Sequence, residues 1–374
     1  MLQQRIVLFR RQRFVYITAI ALFFLVFGRN FLYNLGDWIR QTNPWSYQWE
    51  VQQAFVATQD ELDCVSGTTR PIDPTVKIDP IPNHIHFIYG LGNPFYKPSA
   101  GEFDFLAYLA VRSAIVGVKA DNIFLHYTYL AHPPHPEPNT NPYSNPWVER
   151  LKNDITLVYH SPEEIDSLKH TAGANWQAAH ISDVLRLKIL SEQGGIYFDI
   201  DAFGLRPFTN ILKSPRDMVM GHEGGDRAGL CNAIMAARAN STFIKRWLKE
   251  YEHADLTKEW NYHSVILPKE LQLQKSDDIC ALPPSSLFWP TWTWNHVDWM
   301  HESLRPSEAR HWAAELDRNR GSLFVNQFAY HGWSQMAWHR YLKHLTPETV
   351  RNHDTRFNLM VRRFLQDDLG VTTN

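Results

Sequence analysis

Asp199 and Asp201 are the two residues whose type and spacing most directly suggest chemistry. Residues 196–200 predict a strand; Asp199 is its next-to-last residue and Asp201 follows it directly. Gly204 and Pro207 then favour a loop. Because side chains alternate along a strand, both carboxylates are expected on the same face. Open α/β sheets bind ligands where their strands run out into loops, so this is a predicted ligand-binding edge.

Two carboxylates at one strand end suit a hard divalent cation, which prefers oxygen ligands. Few protein ligands are needed when the diphosphate of a nucleotide sugar supplies the others. The cation would neutralise the charge that the diphosphate leaving group gains as the glycosidic bond breaks. The alternative is that Asp199 and Asp201 only close the strand as turn formers, since a bare Asp-x-Asp is a weak signal.

The residues before this strand add a second charged pair. Residues 181–192 predict a helix of strong helix formers, and Gly194-Gly195 predicts its end. Asp183 and Arg186 lie three residues apart on one helix face, among mostly apolar residues. Burying such a pair costs free energy unless a partner or ligand compensates, whereas a surface salt bridge there would contribute little. Both interpretations, ligand contact and helix salt bridge, stay open.

The remaining pattern predicts an α/β fold. Strands are predicted at residues 81–89, 121–129 and 154–160, a helix at 102–118, and a long surface loop in the proline-rich segment 132–146. Strands that alternate with helices indicate a mostly parallel central sheet. A composition with 44% hydrophobic and 20% charged residues is ordinary for a globular protein, and the net charge of -2 gives no reason to expect a nucleic-acid partner.

The N-terminal segment predicts a membrane anchor. Residues 14–27 form an apolar run that can be extended to residue 35, and arginines precede it: Arg5, Arg10, Arg11 and Arg13. The positive-inside rule then predicts a cytoplasmic tail at 1–13, a transmembrane helix at 14–35 and a lumenal remainder. A cleavable signal peptide is the alternative, but no small-x-small cleavage site closes the run. We therefore expect a single-pass type II protein of the Golgi or endoplasmic reticulum membrane.

The rest of the chain is predicted to divide into three parts. Residues 36–80 are polar and then proline-rich, as in a stem. Residues 81–345 form the predicted catalytic domain, and residues 346–374 a helical tail. The chain has three cysteines. In an oxidising lumen Cys231 and Cys280 could pair, which would leave Cys64 free or bridged to a second chain; the sequence does not give the connectivity.

The run SDVLRLKILSEQGGIYFDID resembles the sugar-binding Asp-x-Asp signature of glycosyltransferase family 32, and IPNHIHFIYG is similar to that family's first strand. The resemblance extends over roughly residues 80 to 340. It implies a GT-A type, Rossmann-like nucleotide-sugar-binding fold, a Mn²⁺ cofactor and retention of anomeric configuration. The implied partners are a nucleotide-sugar donor and a glycan or glycolipid acceptor.

The resemblance also implies roles for particular residues. Asp183 and Arg186 would contact the donor sugar, Asp199 would bridge ribose, sugar and metal, and Asp201 would be the direct metal ligand. Asn232 matches a family asparagine near the donor sugar, although a helix-capping asparagine is an equal alternative.

Two aromatic segments are further candidates. The run YHGWS, with His331 and Trp333, resembles the family's C-terminal element that closes over the diphosphate, so His331 is a candidate metal or phosphate ligand. Four tryptophans could stack against acceptor sugars or pack under a long loop: Trp289, Trp292, Trp294 and Trp299.

We therefore expect a metal-dependent, retaining hexosyltransferase. By family frequency the first choice is transfer of mannose from GDP-mannose. The alternative is a catalytically silent carbohydrate-binding member of the same fold, which would be expected to have lost at least one of the four charged residues Asp183, Arg186, Asp199 and Asp201. A metal-dependent hydrolase would need further His or Asp ligands that the sequence does not offer.

Overall fold

The computed structural model describes residues 56–71, 75, 77–93, 102–130, 137–169, 178–252 and 261–366, together with 16–18 and 28. Most of the predicted transmembrane helix at 14–35 lies outside these residues. Among the helices that are described, none combines the length and the hydropathy needed to cross a bilayer. The cytoplasmic tail at 1–13 also lies outside the described residues.

In the described residues, the strands are β1 His84–Tyr89, β2 Asn122–Tyr127, β3 Thr156–Tyr159, β4 Gly195–Phe198, β5 Ala202–Gly204, β6 Met218–Glu223, β7 Gly229–Ala237, β8 Ile279–Leu282 and β9 Ala329–His331. The helices are α1 Gln59–Ser66, α2 Phe105–Ser113, α3 Pro146–Glu149, α4 Pro162–Ser167, α5 Ala178–Gln193, α6 Thr242–Tyr251, α7 Leu267–Gln274, α8 Pro284–Leu287, α9 Trp294–His301, α10 Pro306–Arg318, α11 Ser334–Ala337, α12 Pro347–Asn352 and α13 Arg356–Val361. Two π-helical turns, Ala114–Val118 and Tyr262–Ile266, extend α2 and precede α7.

The central sheet has the strand order β3-β2-β1-β4-β7-β6-β8. The pairs β1–β2, β1–β4, β2–β3 and β6–β8 are parallel, and β7 is antiparallel to both of its neighbours. This confirms the predicted α/β fold with a mostly parallel sheet. From β1 the chain moves to β2 and β3 on one side and then crosses back to β4 on the other side of β1. This reversal of direction creates a switch point, where such sheets bind ligands.

Hydrophobic cores lie on both faces of this sheet, because side chains alternate along the strands. Ile196 and Phe198 of β4 pack with α2 in one core, whereas Tyr197 packs with α5 and α6 in the other. The helix α5 ends at Gly194, whose φ of +67° is the left-handed conformation that glycine adopts at low cost. The predicted order of helix, glycine turn and strand is therefore confirmed.

The disulfide in the structure differs from the pairing of Cys231 with Cys280 that the sequence analysis suggested. The structure contains a disulfide between Cys64 and Cys280, with Cα atoms 5.7 Å apart, and Cys231 is free and buried. Cys231 lies on β7 and Cys280 on β8, with β6 between them. Two strand spacings amount to about 9–10 Å, which is beyond the reach of a disulfide.

The predicted stem also differs from the structure at its C-terminal part. The helix α1 packs on β8 and is joined to it by the Cys64–Cys280 disulfide. The buried side chain of Glu61 accepts a hydrogen bond from Arg227 Nε at 2.6 Å, in the turn between β6 and β7. Residues 59–66 therefore belong to the folded domain, and the sequence missed this because a short polar helix resembles a linker.

The predicted tail at 346–374 is described up to residue 366, and this part contains α12 and α13 and belongs to the domain core. Val350 on α12 and Phe357 and Val361 on α13 are fully buried in the core that also contains α2. The Arg356 guanidinium lies 4.2 Å from the ring centre of Trp299 on α9. A domain boundary at residue 345 would cut through this core.

Candidate active site

The sheet topology gathers the site residues at one edge. Because β4 ends at Phe198, Asp199 follows directly, and its N–H donates to the carbonyl of Ala233 at 2.8 Å. Since β7 runs antiparallel to β4, the first residues of β7, including Asn232, lie beside the end of β4. In turn β6 runs antiparallel to β7, so its last residue, Glu223, reaches the same edge.

A two-stranded ribbon brings the C-terminal element to this edge. Ala202 on β5 pairs with His331 on β9, and the Gly332 N–H donates to the Asp201 carbonyl at 2.8 Å. Trp333 has a φ of +52°, which turns the chain so that the Ser334 N–H donates to Asp201 Oδ2 at 2.8 Å. Thus a segment 130 residues downstream of Asp201 lies against its side chain.

These elements enclose a cavity of about 510 Å³. Every residue that the sequence nominated as a donor or metal ligand lines it: Asp183, Arg186, Asp199, Asp201, Asn232, His331 and Trp333. The cavity is therefore the candidate active site.

Asp199, Asp201 and His331 form a potential metal site. Each offers one ligand atom, and these atoms lie within 4.8 Å of one another. His331 Nε2 is 3.2 Å from Asp201 Oδ1 and 4.0 Å from Asp199 Oδ2. Burial opposes the charge of Asp201, but His331 and the Ser334 hydrogen bonds hold the pKa of its carboxyl well below the usual range. The cluster thus presents ionised oxygen and, once His331 gives up its Nε2 proton, an imidazole nitrogen, a donor set that would fit a divalent cation.

Asp183, Arg186 and Asn232 form a second cluster on the adjoining wall. Asn232 Nδ2 donates to Asp183 Oδ1 at 2.7 Å, and Arg186 Nη1 donates to Asn232 Oδ1 at 3.0 Å. The Arg186 guanidinium also lies 3.3 Å from Asp183 Oδ1. Asn232 is on β7, so its helix-capping alternative does not apply. The predicted helix salt bridge exists, but it is buried and lines the cavity.

Arg186 links the two clusters. Its Nη1 is 3.1 Å from Asp199 Oδ1, and its Nε and Nη2 donate to the carbonyl and hydroxyl of Ser182. Burial alone would lower the pKa of Arg186, but the charge of Asp199, followed by Tyr197 and Asp183, raises it above its ordinary value. Because its N–H groups face protein acceptors, Arg186 is built to orient the carboxylates around it.

Several residues that line the cavity or bind its lining residues were missed by sequence reasoning. Tyr197 donates to Asp199 Oδ1 at 2.7 Å, and alternation along β4 could have indicated it. Tyr251 on α6 donates to Asp183 Oδ2 at 3.3 Å, and Ser334 binds Asp201. The carboxylate of Glu223 also lines the cavity. Glu223 gave no signal, because a bulge between Met220 and Gly221 interrupts the regular alternation of β6.

The tryptophan cluster divides between the two interpretations offered by the sequence. Trp289 and Trp299 are buried, whereas Trp292 and Trp294 are half-buried. Trp292 lines the cavity, and its indole N–H donates to Glu223 Oε1 at 3.0 Å. Most of the cluster therefore packs, and only Trp292 among the four contacts the candidate site.

Part of the chain matches a known protein family. Residues 115–217 match the family described as "Glycosyltransferase sugar-binding region containing DXD motif". A relative from Cryptococcus neoformans var. grubii serotype A, glucan organizing enzyme 1, is 32% identical over 313 residues, which are 81% of this chain and 76% of the relative.

Solved glycosyltransferase structures are more distant. The PaToxG glycosyltransferase gives a TM-score of 0.39 at 16% identity, covering 58% of this chain and 75% of its own. Mouse xyloside xylosyltransferase 1, in its apo form, gives 0.39 at 11% identity over 68% of this chain and 98% of its own. The matched motif region and the long match to the fungal relative are the stronger findings, and by them this chain belongs to glycosyltransferase family 32.

Proposed function

We propose that this protein transfers a hexosyl group from a nucleotide-sugar donor to a glycan or glycolipid acceptor, with retention of configuration and with Mn²⁺ as cofactor. The observation that carries the proposal is the convergence of Asp199, Asp201 and His331 beside the buried Asp183–Asn232–Arg186 cluster. A catalytically silent protein has no need to keep so many charged groups buried, because each costs free energy of desolvation.

In this proposal Asp201, Asp199 and His331 hold the cation. When bound, the cation supplies positive charge that stabilises the diphosphate leaving group. Asp201 is fixed from the other side by the backbone N–H and the hydroxyl of Ser334. Trp333 is fixed as well, because its indole N–H donates to the Pro290 carbonyl at 2.9 Å. The His331–Trp333 element is thus rigid enough to bind over the diphosphate.

The donor sugar is assigned to the wall formed by Asp183 and Asn232. Among the described residues, Asp183 Oδ2 receives one long hydrogen bond, from Tyr251 at 3.3 Å, and an ionised carboxylate has room for more donors. A sugar hydroxyl can therefore donate to it. Arg186 is a positioning residue here, since it orients Asp183, Asn232 and Asp199 together. For retention we propose same-face attack, in which the leaving phosphate helps to deprotonate the acceptor hydroxyl.

The donor and the location are finer parts of the proposal. Mannose from GDP-mannose remains the first choice by family frequency, and the name of the glucan organizing relative supports a glycan acceptor. We also propose a type II protein in the Golgi or endoplasmic reticulum membrane with a lumenal catalytic domain. The arginine-flanked apolar run supports this, as does the Cys64–Cys280 disulfide, since disulfides persist in oxidising compartments.

The test is a screen of the purified protein against nucleotide sugars, with nucleoside diphosphate release and product anomeric configuration as readouts. Excess EDTA should abolish release, and added Mn²⁺ should restore it. Asp201→Asn should lower the rate by about 10²- to 10³-fold or more. The matched control Asp166→Asn changes an exposed aspartate on α4 and should behave as wild type. Full activity in chelator, or in folded Asp201→Asn, would refute the proposed metal site.

A further inference from the structure

Trp292 and Glu223 form a pair on the cavity wall that the proposed donor site does not use. Glu223 ends β6, and β7 lies between β6 and β4, so the backbone at Glu223 is about two strand spacings, or 9–10 Å, from the strand end that carries Asp199. Both residues line the cavity, and both are half-buried, so each keeps surface to present to a ligand.

The pair is held in place by its surroundings. The indole N–H of Trp292 donates to Glu223 Oε1 at 3.0 Å. The preceding backbone is fixed at Pro290 by Trp333 and at Trp289 by the side-chain amide of Gln327, which donates at 3.0 Å. A segment with these anchors presents its indole in one orientation, which reduces the ordering that binding would otherwise require.

The chemistry of the pair fits a neutral sugar. An indole ring offers a flat apolar surface to the C–H face of a hexose, and a carboxylate accepts hydrogen bonds from hydroxyl groups. Glu223 is unsuited to the donor diphosphate, because two anionic groups in a partly buried cavity repel each other. The donor sugar is assigned instead to Asp183 and Asn232, which bind each other.

We propose that Trp292 and Glu223 form the acceptor subsite, in which the indole stacks on the terminal hexose of an acceptor glycan and Glu223 binds its hydroxyls. This inference rests on the proposed function. Two further polar residues line the same cavity and can bind other hydroxyls: Asn261 and Ser264, at the π-helical turn before α7.

The experiment measures acceptor KM and kcat separately in the full-length, detergent-purified protein, with α-mannobiose and laminaritriose as acceptor probes at saturating donor. Trp292→Ala should raise the acceptor KM by about tenfold or more, as expected when a central aromatic contact is truncated. Trp292→Phe should recover part of this loss, because a ring remains. Glu223→Gln should also raise the acceptor KM, while the Kd for nucleoside diphosphate with Mn²⁺ changes by less than about twofold in each variant.

Trp294→Ala is the matched control. Trp294 has the same side chain two residues away and is likewise half-buried, but it packs near Arg340, with the guanidinium 5.8 Å from the ring centre, and does not line the cavity. Its acceptor KM should equal that of wild type. Melting curves accompany each variant, and Trp292→Phe keeps the test decisive if Trp292→Ala does not fold.

Unchanged acceptor KM in Trp292→Ala or Trp292→Phe, measured in folded protein, would overturn the inference. So would a Glu223→Gln variant whose kcat falls while its acceptor KM stays constant, since that would place Glu223 at the reacting centre. Sugar transfer by the wild type in the same assay distinguishes failure of the acceptor subsite from failure of the proposed function. If the wild type transfers sugar and the variants keep the wild-type acceptor KM, only the acceptor subsite is wrong. A wild type that neither hydrolyses donor nor transfers sugar refutes both.

Discussion

Two buried polar networks lie at different parts of the central sheet, and they are built on opposite principles. One is the chain of histidines His86, His126 and His160, which crosses β1, β2 and the end of β3 and reaches Glu164 on α4. The other is the candidate active site at the edge of β4. The first network is neutral in its interior and closed, whereas the second is charged and open to a cavity.

Proton positions in the histidine chain are fixed by its inner end. His86 Nε2 lies 3.1 Å from the Gly194 carbonyl, which can only accept, so this nitrogen carries the proton. Burial lowers the pKa of His86 to about 4 and that of His126 to about 2, so both stay neutral. Each neutral ring can then donate in one direction only, toward Gly194. At the solvent end, His160 Nδ1 and Glu164 Oε1 lie 2.7 Å apart.

The active-site network lacks this closure. His331 Nδ1 is buried with no hydrogen-bond partner among the described residues, and the nearest ion-pair partner of Asp199 Oδ2 is His331 Nε2 at 4.0 Å. In the histidine chain, by contrast, every ring nitrogen has a partner. The two networks therefore differ in unused bonding capacity rather than in the burial of polar groups as such, and a ligand could use that capacity only in the second.

Arg186→Met should have the largest effect, because Arg186 is the cation that compensates Asp183 and Asp199. Removal of one partner of a buried ion cluster leaves uncompensated charge and should cost about 3–5 kcal/mol of unfolding free energy. Sugar transfer should be lost as well. Denaturant titration measures the first effect, and Arg340→Met, at an exposed ion pair, is the control. Near-normal stability would show that the carboxylates are protonated rather than paired.

His126→Leu should break the closed network with a different outcome. It leaves His86 Nδ1 and His160 Nε2 without partners, at a cost of about 2–4 kcal/mol in unfolding free energy. The folded fraction should keep its kcat, because none of the three histidines lines the cavity. A large loss of kcat at unchanged KM in folded protein would contradict a purely structural role for the histidine chain.

The response of stability to acid should sharpen the comparison. His86 has a pKa of about 4 in the folded protein and about 6.5 in the unfolded chain. At a pH between these two values, unfolding therefore takes up a proton at His86. Stability is therefore fully present above pH 6.5 and is lost as the pH falls toward 4, by up to about 1.4 kcal/mol per pH unit from this residue. Other buried histidines, such as His222, His296 and His301, contribute in the same direction.

The contribution of His86 is isolated by difference. Urea unfolding of wild type and of His86→Phe at several pH values between 7.5 and 4 should give a smaller dependence on pH for the variant. His296 is a buried histidine that does not belong to the row His86, His126 and His160. His296→Phe should reduce the pH dependence of stability by a similar amount without affecting the Gly194 turn. Identical profiles for wild type and His86→Phe would mean that the His86 pKa is not lowered.

Glu164→Gln should have the smallest effect. The Glu164 side chain is 52% exposed, so water can replace its bond to His160 and screen the charge. We expect a change below about 0.5 kcal/mol in unfolding free energy, measured against wild type at neutral pH. A change as large as that of His126→Leu would show that the contact between His160 and Glu164 holds the whole row of histidines in place.

Much of the site was predictable because its chemistry is encoded locally. Asp183, Arg186, Asp199 and Asp201 lie within one helix–turn–strand unit, and helical spacing and strand alternation place them without knowledge of distant contacts. Asn232, His331 and Trp333 came from the family resemblance. Glu223 and Tyr251 could not be found in this way, because their approach depends on how β6 and α6 pack across the sheet.

The sequence by itself therefore determined the α/β fold class, the helix–turn–strand unit and the paired carboxylates, all of which follow from short-range periodicity and turn chemistry. Only the tertiary structure decided which cysteine pairs with Cys280 and that residues 59–66 and 347–361 belong to the domain. It also decided that His86 on β1, His126 on β2 and His160 after β3 form one row of hydrogen-bonded rings. These outcomes depend on strand order and on packing between segments far apart in the sequence. Local pattern carries no information about either, because the same strands can be ordered in several ways with the same alternation of side chains.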